Sequence, residues 1–376
     1  MSFYEGLKKP FLILAPMDDV TDTVFRQIVD SLAPPDLYFT EFVNADGLQS
    51  PGRERLLPKL KLGKYEGLSR LSRLDGSQGD DEQRTELYKA STVKEQSQSA
   101  TQRGAKSGSG AAGSASRQAG AAGKSRPIVA QIWGINPENF YKTTKLVKEL
   151  GYDGVDLNMG CPVKKVVKGG ACAALINNRE LAGQIIDAVQ DAAGDDFPVS
   201  VKTRVGFTTV DMDWIEFLLS KKLDLLSIHG RTAKQLSKVP ADWDLIGQAR
   251  QMRDSLCPAT LLAGNGDVQS RAQAEELAAE YNLDGIMIGR GIFHDPFVFA
   301  KASPWGSYSK EQKLRLFAKH IELSAKTWKE GEYRFDALKK FCKVYINGFD
   351  GASDLRAEFM AAKNTREALV IITKDD

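Results

Sequence analysis

Gly154-Val155-Asp156-Leu157-Asn158-Met159-Gly160-Cys161-Pro162 is a short, largely apolar run that stops at polar and turn-forming residues; a helix-like segment, Glu180–Ala193, follows. A run of this length with little polar alternation reads as a strand covered on both faces, as in parallel sheets. Outward from it the unit recurs. Apolar runs stand at Phe11–Leu14, Leu37–Thr40, Ile128–Ile132, Gly154–Leu157, Val199–Lys202, Leu225–Ile228, Thr260–Ala263 and Gly285–Ile288. Helical patterns lie between them at Val20–Asp30, Phe140–Leu150, Glu180–Ala193, Ile215–Ser220, Leu245–Met252 and Arg271–Glu280. Eight strands alternating with helices predict an α/β fold, a closed (β/α)8 TIM barrel. A doubly wound open sheet is the alternative, and the number of strands fits closure better.

The alternation breaks once. Residues 97–126 contain no Val, Ile, Leu, Met or aromatic residue, and carry Arg103, Lys106, Arg117, Lys124 and Arg126 with no acidic residue. Such a segment cannot bury enough apolar surface to offset its ordering entropy, so an insertion at about 66–126 is expected to be disordered. It falls between the helix-like Arg53–Leu60 and the third strand, on the N-terminal side of the barrel and away from the chemistry. After Pro304 the pattern turns purely helical: Lys310–Lys329, Arg334–Asn347 and Leu355–Ala362, then a short tail. The expected organisation is a catalytic barrel at 1–304 and a small all-helical domain at 305–376.

A net charge of +2 sets up no global field for a polyanion, so any nucleic-acid contact must come from a local patch. Cys161, Cys172, Cys257 and Cys342 form no Cys-x-x-Cys pair, which argues against structural zinc, an iron–sulfur cluster or a disulfide framework; no metal is expected. No segment approaches the ~18 consecutive apolar residues of a membrane span, and no leader pattern is seen. The expectation is a cytoplasmic enzyme in a reducing compartment, with no membrane partner.

In such a barrel the functional groups sit just after the strands. Here those positions hold Ala15-Pro16-Met17, Gln131, Asn158 to Cys161, Lys202 with Arg204, His229 to Thr232, Gly264 to Asp267, and Gly289-Arg290-Gly291. Loops after strands seven and eight commonly bind phosphate, which needs close backbone approach and a fixed cation; Gly264, Gly266, Gly289 and Gly291 with Arg290 meet that need. Taken singly, each of these glycines is an ordinary turn residue. Lys202 ends an apolar strand and would project into the mouth, where it could balance the negative charge of a reduced flavin or simply pair with a carboxylate. His229 shares that setting, whereas His294 and His320 lack it and read as structural. Cys172, Cys257 and Cys342 read as packing residues.

Six segments, Ala-Pro-Met at 15–17, Leu-Asn-Met-Gly-Cys-Pro at 157–162, Val-Lys-Thr-Arg at 201–204, His-Gly-Arg-Thr at 229–232, Gly-Asn-Gly-Asp-Val at 264–268 and Ile-Gly-Arg-Gly at 288–291, occur in this order. Together the chain resembles the tRNA-dihydrouridine synthase family over about 10–60 and 127–300, with a weaker likeness in the C-terminal helices. The resemblance implies an FMN-containing barrel with a helical tRNA-binding domain, NADPH as reductant, hydride from reduced FMN to C6 of a uridine and a proton from a cysteine to C5. By motif, Cys161 would be that acid and Asn158 would hold the uracil. Pro16, Met17, Gln131, Lys202 and His229 would hold the flavin ring; Asn265, Gly266, Asp267, Gly289 and Arg290 would surround its ribityl chain and phosphate. Lys164 and Lys165 would face RNA phosphates, and Arg204 and Arg231 could contact flavin or RNA. Where the family commonly carries a His and a Trp, this chain reads Phe341-Cys342-Lys343-Val344-Tyr345; Lys339, Lys340 and Lys343 there are either a solvated face or phosphate contacts.

Two other functions fit parts of the pattern. An FMN barrel acting on a free pyrimidine or enone would leave the helical domain idle. A non-catalytic RNA-binding protein would leave the thiol and the Lys202–His229 pair unexplained. No Gly-x-Gly-x-x-Gly fingerprint marks a dinucleotide site, so NADPH follows from the resemblance alone.

Overall fold

The computed structural model describes residues 3–63, 126–329 and 332–374. Its centre is a closed barrel of eight parallel strands in sequence order: β1 (Phe11–Leu14), β2 (Leu37–Asn44), β3 (Ile128–Trp133), β4 (Gly154–Met159), β5 (Val199–Arg204), β6 (Leu225–His229), β7 (Leu261–Asn265) and β8 (Gly285–Ile288). The ladder closes where Phe11 of β1 pairs with Gly285 of β8. A side chain on Gly285 would stand 2.4 Å from the Phe11 ring, so closure here needs glycine. The expected (β/α)8 barrel is what forms.

Outside the strands lie α1 (Thr23–Leu32), α2 (Pro137–Glu149), α3 (Arg179–Ala193), α4 (Met212–Ser220), α5 (Trp243–Leu256) and α6 (Arg271–Glu280). Each begins behind an Asp, Asn or Ser (Asp22, Asn136, Asn178, Asp211, Asp242, Ser270) whose side chain accepts from a first-turn amide. Several strands outrun their apolar stretches: β4 continues through Asn158 and Met159, β5 through Thr203 and Arg204, β6 through His229, and β7 through Gly264 and Asn265. Backbone pairing is indifferent to side-chain polarity, so the ladder carries polar residues into the barrel mouth.

The opposite end is fastened by a repeated device. Asp36, Asp153, Asp224 and Asp284 each stand immediately before an even-numbered strand. Their carboxylates accept from the amides of Leu12, Ile128, Val199 and Leu262 on the odd-numbered neighbours, at 2.8, 2.9, 2.9 and 2.8 Å. Each aspartate amide donates back to the carbonyl of the same partner. Four strand pairs are thereby locked in register where each strand begins.

The C-terminal region holds α7 (Lys310–Thr327), α8 (Ala352–Ala361) and α9 (Thr365–Ile372). The stretch expected as a short tail is in fact α9, which Asn364 caps and which buries Ala368 and Ile372. The helix expected at Arg334–Asn347 is instead two single turns, Asp336–Lys339 and Cys342–Tyr345. Between them the amides of Lys340 and Phe341 turn to carbonyls three residues back. That break seats the Phe341 ring 4.6 Å from Phe25 of α1 and 4.7 Å from His320 of α7. Lys340 donates to Asp19 Oδ2 at 3.1 Å and to the Asp18 carbonyl at 3.2 Å, and the Tyr333 hydroxyl donates to buried Glu41 at 3.1 Å. Aromatic packing and these polar contacts join the helices to the β1–β2 side of the barrel. The insertion expected to be disordered lies, except for Arg126, outside the described residues.

Replacing the buried Asp153 by Ala strands the Ile128 amide, and an unsatisfied buried donor costs about 1–3 kcal/mol. Denaturant unfolding should show a loss of that size; an unchanged midpoint would contradict the clamp.

Candidate functional site

At the C-terminal ends of the strands lies an open cavity of about 400 Å³. Among its lining residues are Pro16, Met17, Lys202, His229, Asn265, Gly266, Asp267, Gly289 and Arg290, residues drawn from the ends of β1, β5, β6, β7 and β8. Register explains the convergence: Arg204 stands opposite His229, His229 opposite Asn265, and Asn265 opposite Met287. The Asn265 side chain donates to the Met287 carbonyl at 2.7 Å, which fixes its amide across the last ladder.

Glycine shapes two walls. Gly266 has φ +137°, a backbone that side chains rarely tolerate, and a Cβ there would stand 2.4 Å from Ala241 Cβ. At Gly289 a Cβ would meet nothing closer than Ala15 Cβ at 3.5 Å, so this wall is a shallow, unfilled cradle beside Met17.

The cavity is cationic. Arg231, only 3% exposed, bonds Asp267 through its guanidinium and the Val239 carbonyl at 2.5 Å. Arg290 reaches the other Asp267 oxygen at 3.1 Å and keeps most of its side chain in solvent. Burial works against an ionised Asp267, but Arg231, the Ala241 amide and Arg290 outweigh it and hold the carboxyl below its ordinary range. Lys202 is pushed down to about 8, first by burial and then by Arg204, with Asp156 and Cys161 opposing. His229 is driven far below its usual range by burial together with Lys202, Arg204, Arg231 and Arg290, so the ring is neutral. Among the described residues, His229 Nδ1 and one terminal nitrogen of Arg231 are buried without a hydrogen-bond partner. Unpartnered buried nitrogens, surplus positive charge and a glycine cradle are what an anionic, flat, polar-edged group such as FMN requires, and the donor set fits it.

Cys161, Asn158 and Gln131 lie beyond this lining, on the β3–β4 side. Asn158 stands opposite Lys202 in the β4–β5 ladder, so Lys202 links the two halves of the mouth. Asn158 Oδ1 accepts from the amides of Gly160 at 3.2 Å and Cys161 at 2.9 Å. Arg204 donates to the Gly160 carbonyl at 2.7 Å and the Thr232 carbonyl at 3.1 Å, bracing the Cys161 loop from below. The Cys161 thiol is pulled down to about 7; the Cys172 thiol, donating to it, is the largest cause, burial opposes, and Lys202 and Arg204 assist. Lys164 and Lys165 are exposed on the turn that follows, and the charges that act on the thiol come from Lys202 and Arg204 instead.

Two placements differ from the sequence reading. Cys172, read as packing, is buried but has φ +54° and gives its thiol to Cys161. His294, read as structural, lines the cavity, as do Ser237 and Gln269. Attention to the residue or two after each strand misses these, because they sit a turn further along their loops. Lys340, considered for phosphate contact, is held by Asp19, and Lys339 pairs with Asp336 at 3.2 Å, leaving Lys343 exposed. Gln131 is fully buried with both amide atoms engaged by neighbours.

The family model described as "Dihydrouridine synthase" matches residues 111–375. A protein of Staphylococcus aureus (strain COL) named probable tRNA-dihydrouridine synthase is 38% identical over 374 residues, covering 99% of this chain and 94% of its own. One of Bacillus subtilis (strain 168) named probable tRNA-dihydrouridine synthase 2 is 37% identical over 374 residues, covering 99% and 95%.

The paired thiols can be tested by alkylation. The rate of Cys161 modification by iodoacetamide, followed by peptide mass spectrometry against pH, should have its midpoint near 7. Cys172→Ala removes the donor that stabilises the thiolate, so the midpoint should move up. A midpoint that stays or falls would contradict the pairing.

Proposed function

Because the chain belongs to the dihydrouridine synthase family, we propose that it reduces uridine bases of tRNA to 5,6-dihydrouridine, with FMN in the cationic mouth and Cys161 as proton donor. The observation that carries this reading is the juxtaposition of a positively charged, glycine-walled cavity with a thiol across Lys202. FMN bound there supplies the hydride for C6 of the base, with NADPH as its reductant. Pro16, Met17 and the Gly289 cradle would pack on its ring. Neutral His229 and cationic Lys202 would meet its polar edge, and Gly266, Asn265 and Arg290, the last held by Asp267, would take its phosphate side.

Cys161 donates its proton to C5, so that C5 and C6 each gain one hydrogen and the double bond between them is consumed. A thiol titrating near 7 is close to the best compromise for a donor at neutral pH: enough of it is protonated, and it parts readily with the proton. The thiolate left behind is held by the Cys172 thiol, Lys202 and Arg204, and solvent returns the proton. Asn158, fixed beside the thiol, would hold the uracil edge. The base must leave its stack to arrive here. Lys164 and Lys165 on the turn after Cys161, and Lys343 on the helical region, are exposed; they would take RNA phosphates, with the helical region at 305–376 as the tRNA-holding part. Arg204 and Arg231 are engaged inside the framework and act through it rather than on RNA.

Nucleoside analysis of tRNA from a strain lacking this gene, and from the same strain carrying Cys161→Ala, tests the reading. At least one dihydrouridine should disappear in both and return with the parent gene. Unchanged dihydrouridine in a strain with no other such enzyme would overturn it, and reduction of free pyrimidines by the purified chain would favour the small-molecule alternative.

A further inference from the structure

Beneath the thiol lies a buried chain of polar groups that the proposed chemistry does not by itself account for. Asp156 on β4 is 0% exposed and stands in register between Gln131 of β3 and Ser200 of β5. Its carboxylate accepts from Gln131 Nε2 at 2.6 Å and from the Ser200 hydroxyl at 2.6 Å. Gln131 Oε1 in turn accepts from Asn158 Nδ2 at 2.9 Å, and Asn158 Oδ1 accepts from the amides of Gly160 and Cys161. Asp156 and Asn158 are two residues apart on one strand, so both point into the barrel in successive layers.

We propose that Asp156 is a positioning residue: it is the acceptor that orients Gln131, and through Gln131 the Asn158 side chain that fixes the Cys161 loop. This rests on the functional reading above for what the loop does, but the orientation itself follows from hydrogen-bond polarity. A carboxylate can only accept, and a backbone amide can only donate. The two carboxamides between these ends must therefore both turn the same way, nitrogen toward Asp156 and oxygen toward Cys161. Burial raises the Asp156 carboxyl to about 6, while Ser200, Gln131 and Lys202 keep it ionised at neutral pH. Without the acceptor, the Gln131 amide loses the partner that selects its orientation. A turned Gln131 presents nitrogen to nitrogen at Asn158, and either Asn158 turns too, releasing the Gly160 and Cys161 amides, or the link breaks.

The test compares Asp156→Ala with Asp156→Asn in the FMN-bound full chain. The asparagine variant keeps a carbonyl oxygen that can accept from Gln131, whereas the alanine variant keeps nothing. Hydrogen exchange in the peptide spanning residues 158–163 should speed up at least tenfold in Asp156→Ala and return to within about threefold of the parent in Asp156→Asn. Single-turnover reduction of tRNA lacking dihydrouridine should follow the same order, with tRNA binding unchanged. Equal damage by both variants would assign Asp156 an electrostatic role toward Lys202 and overturn the proposal, as would parent-like exchange in Asp156→Ala. If Asp156→Ala does not fold, Gln131→Met, which cuts the middle link, decides: faster exchange at 158–163 supports the relay and unchanged exchange overturns it. A parent chain that reduces no uridine would refute the functional reading, while the exchange data would still judge the relay.

Discussion

Like charges gathered in a low-dielectric mouth repel one another, and everything at this end of the barrel is arranged around that repulsion. Lys202, Arg204, Arg231 and Arg290 converge from the ends of β5, β6 and β8 and the loops that follow them; Asp267 at the rim and Asp156 beneath are carboxylates that face them. The cost is visible in the side chains themselves: burial and mutual repulsion pull Lys202 down to about 8 and Arg204 down to about 10. Such an arrangement opposes folding and is retained where function needs it. An anion entering the mouth relieves the repulsion, and a thiol beside it gains a stabilised thiolate from the same cations.

The scaffold supplies the rigidity that this charge cluster demands. At the N-terminal ends, four aspartates lock strand pairs by a reciprocal exchange of hydrogen bonds. At the C-terminal ends, polar residues continue the ladder, so Lys202, Arg204, His229 and Asn265 inherit the precision of strand pairing rather than the latitude of loops. Arg204 bonds carbonyls, and Arg231 bonds the Val239 carbonyl and Asp267 through two of its three nitrogens, holding the Cys161 loop and the β6–β7 rim in place.

The barrel was legible because apolar runs such as Ile128–Ile132 and Gly285–Ile288 are long enough to declare strands and too short for helices. Residues at the ends of those runs were legible as a site, and eleven of them line one cavity. What escaped the sequence depends on contacts it does not spell out. His294 and Ser237 reach the mouth from later loop turns, Cys172 acquires its role from a left-handed backbone beside Cys161, and the break at Phe341 is set by rings from other helices. The aspartate clamps also escaped, since a lone Asp before a strand reads as a turn residue until its partner strand is known.

Titration of FMN and of riboflavin into the flavin-free chain tests the cationic mouth most directly, because the two ligands differ only in the phosphate. A mouth built around surplus positive charge with Arg290 held at the rim should favour FMN by about a hundredfold, a preference that weakens with salt. Equal affinity for the two, or a preference indifferent to ionic strength, would contradict it.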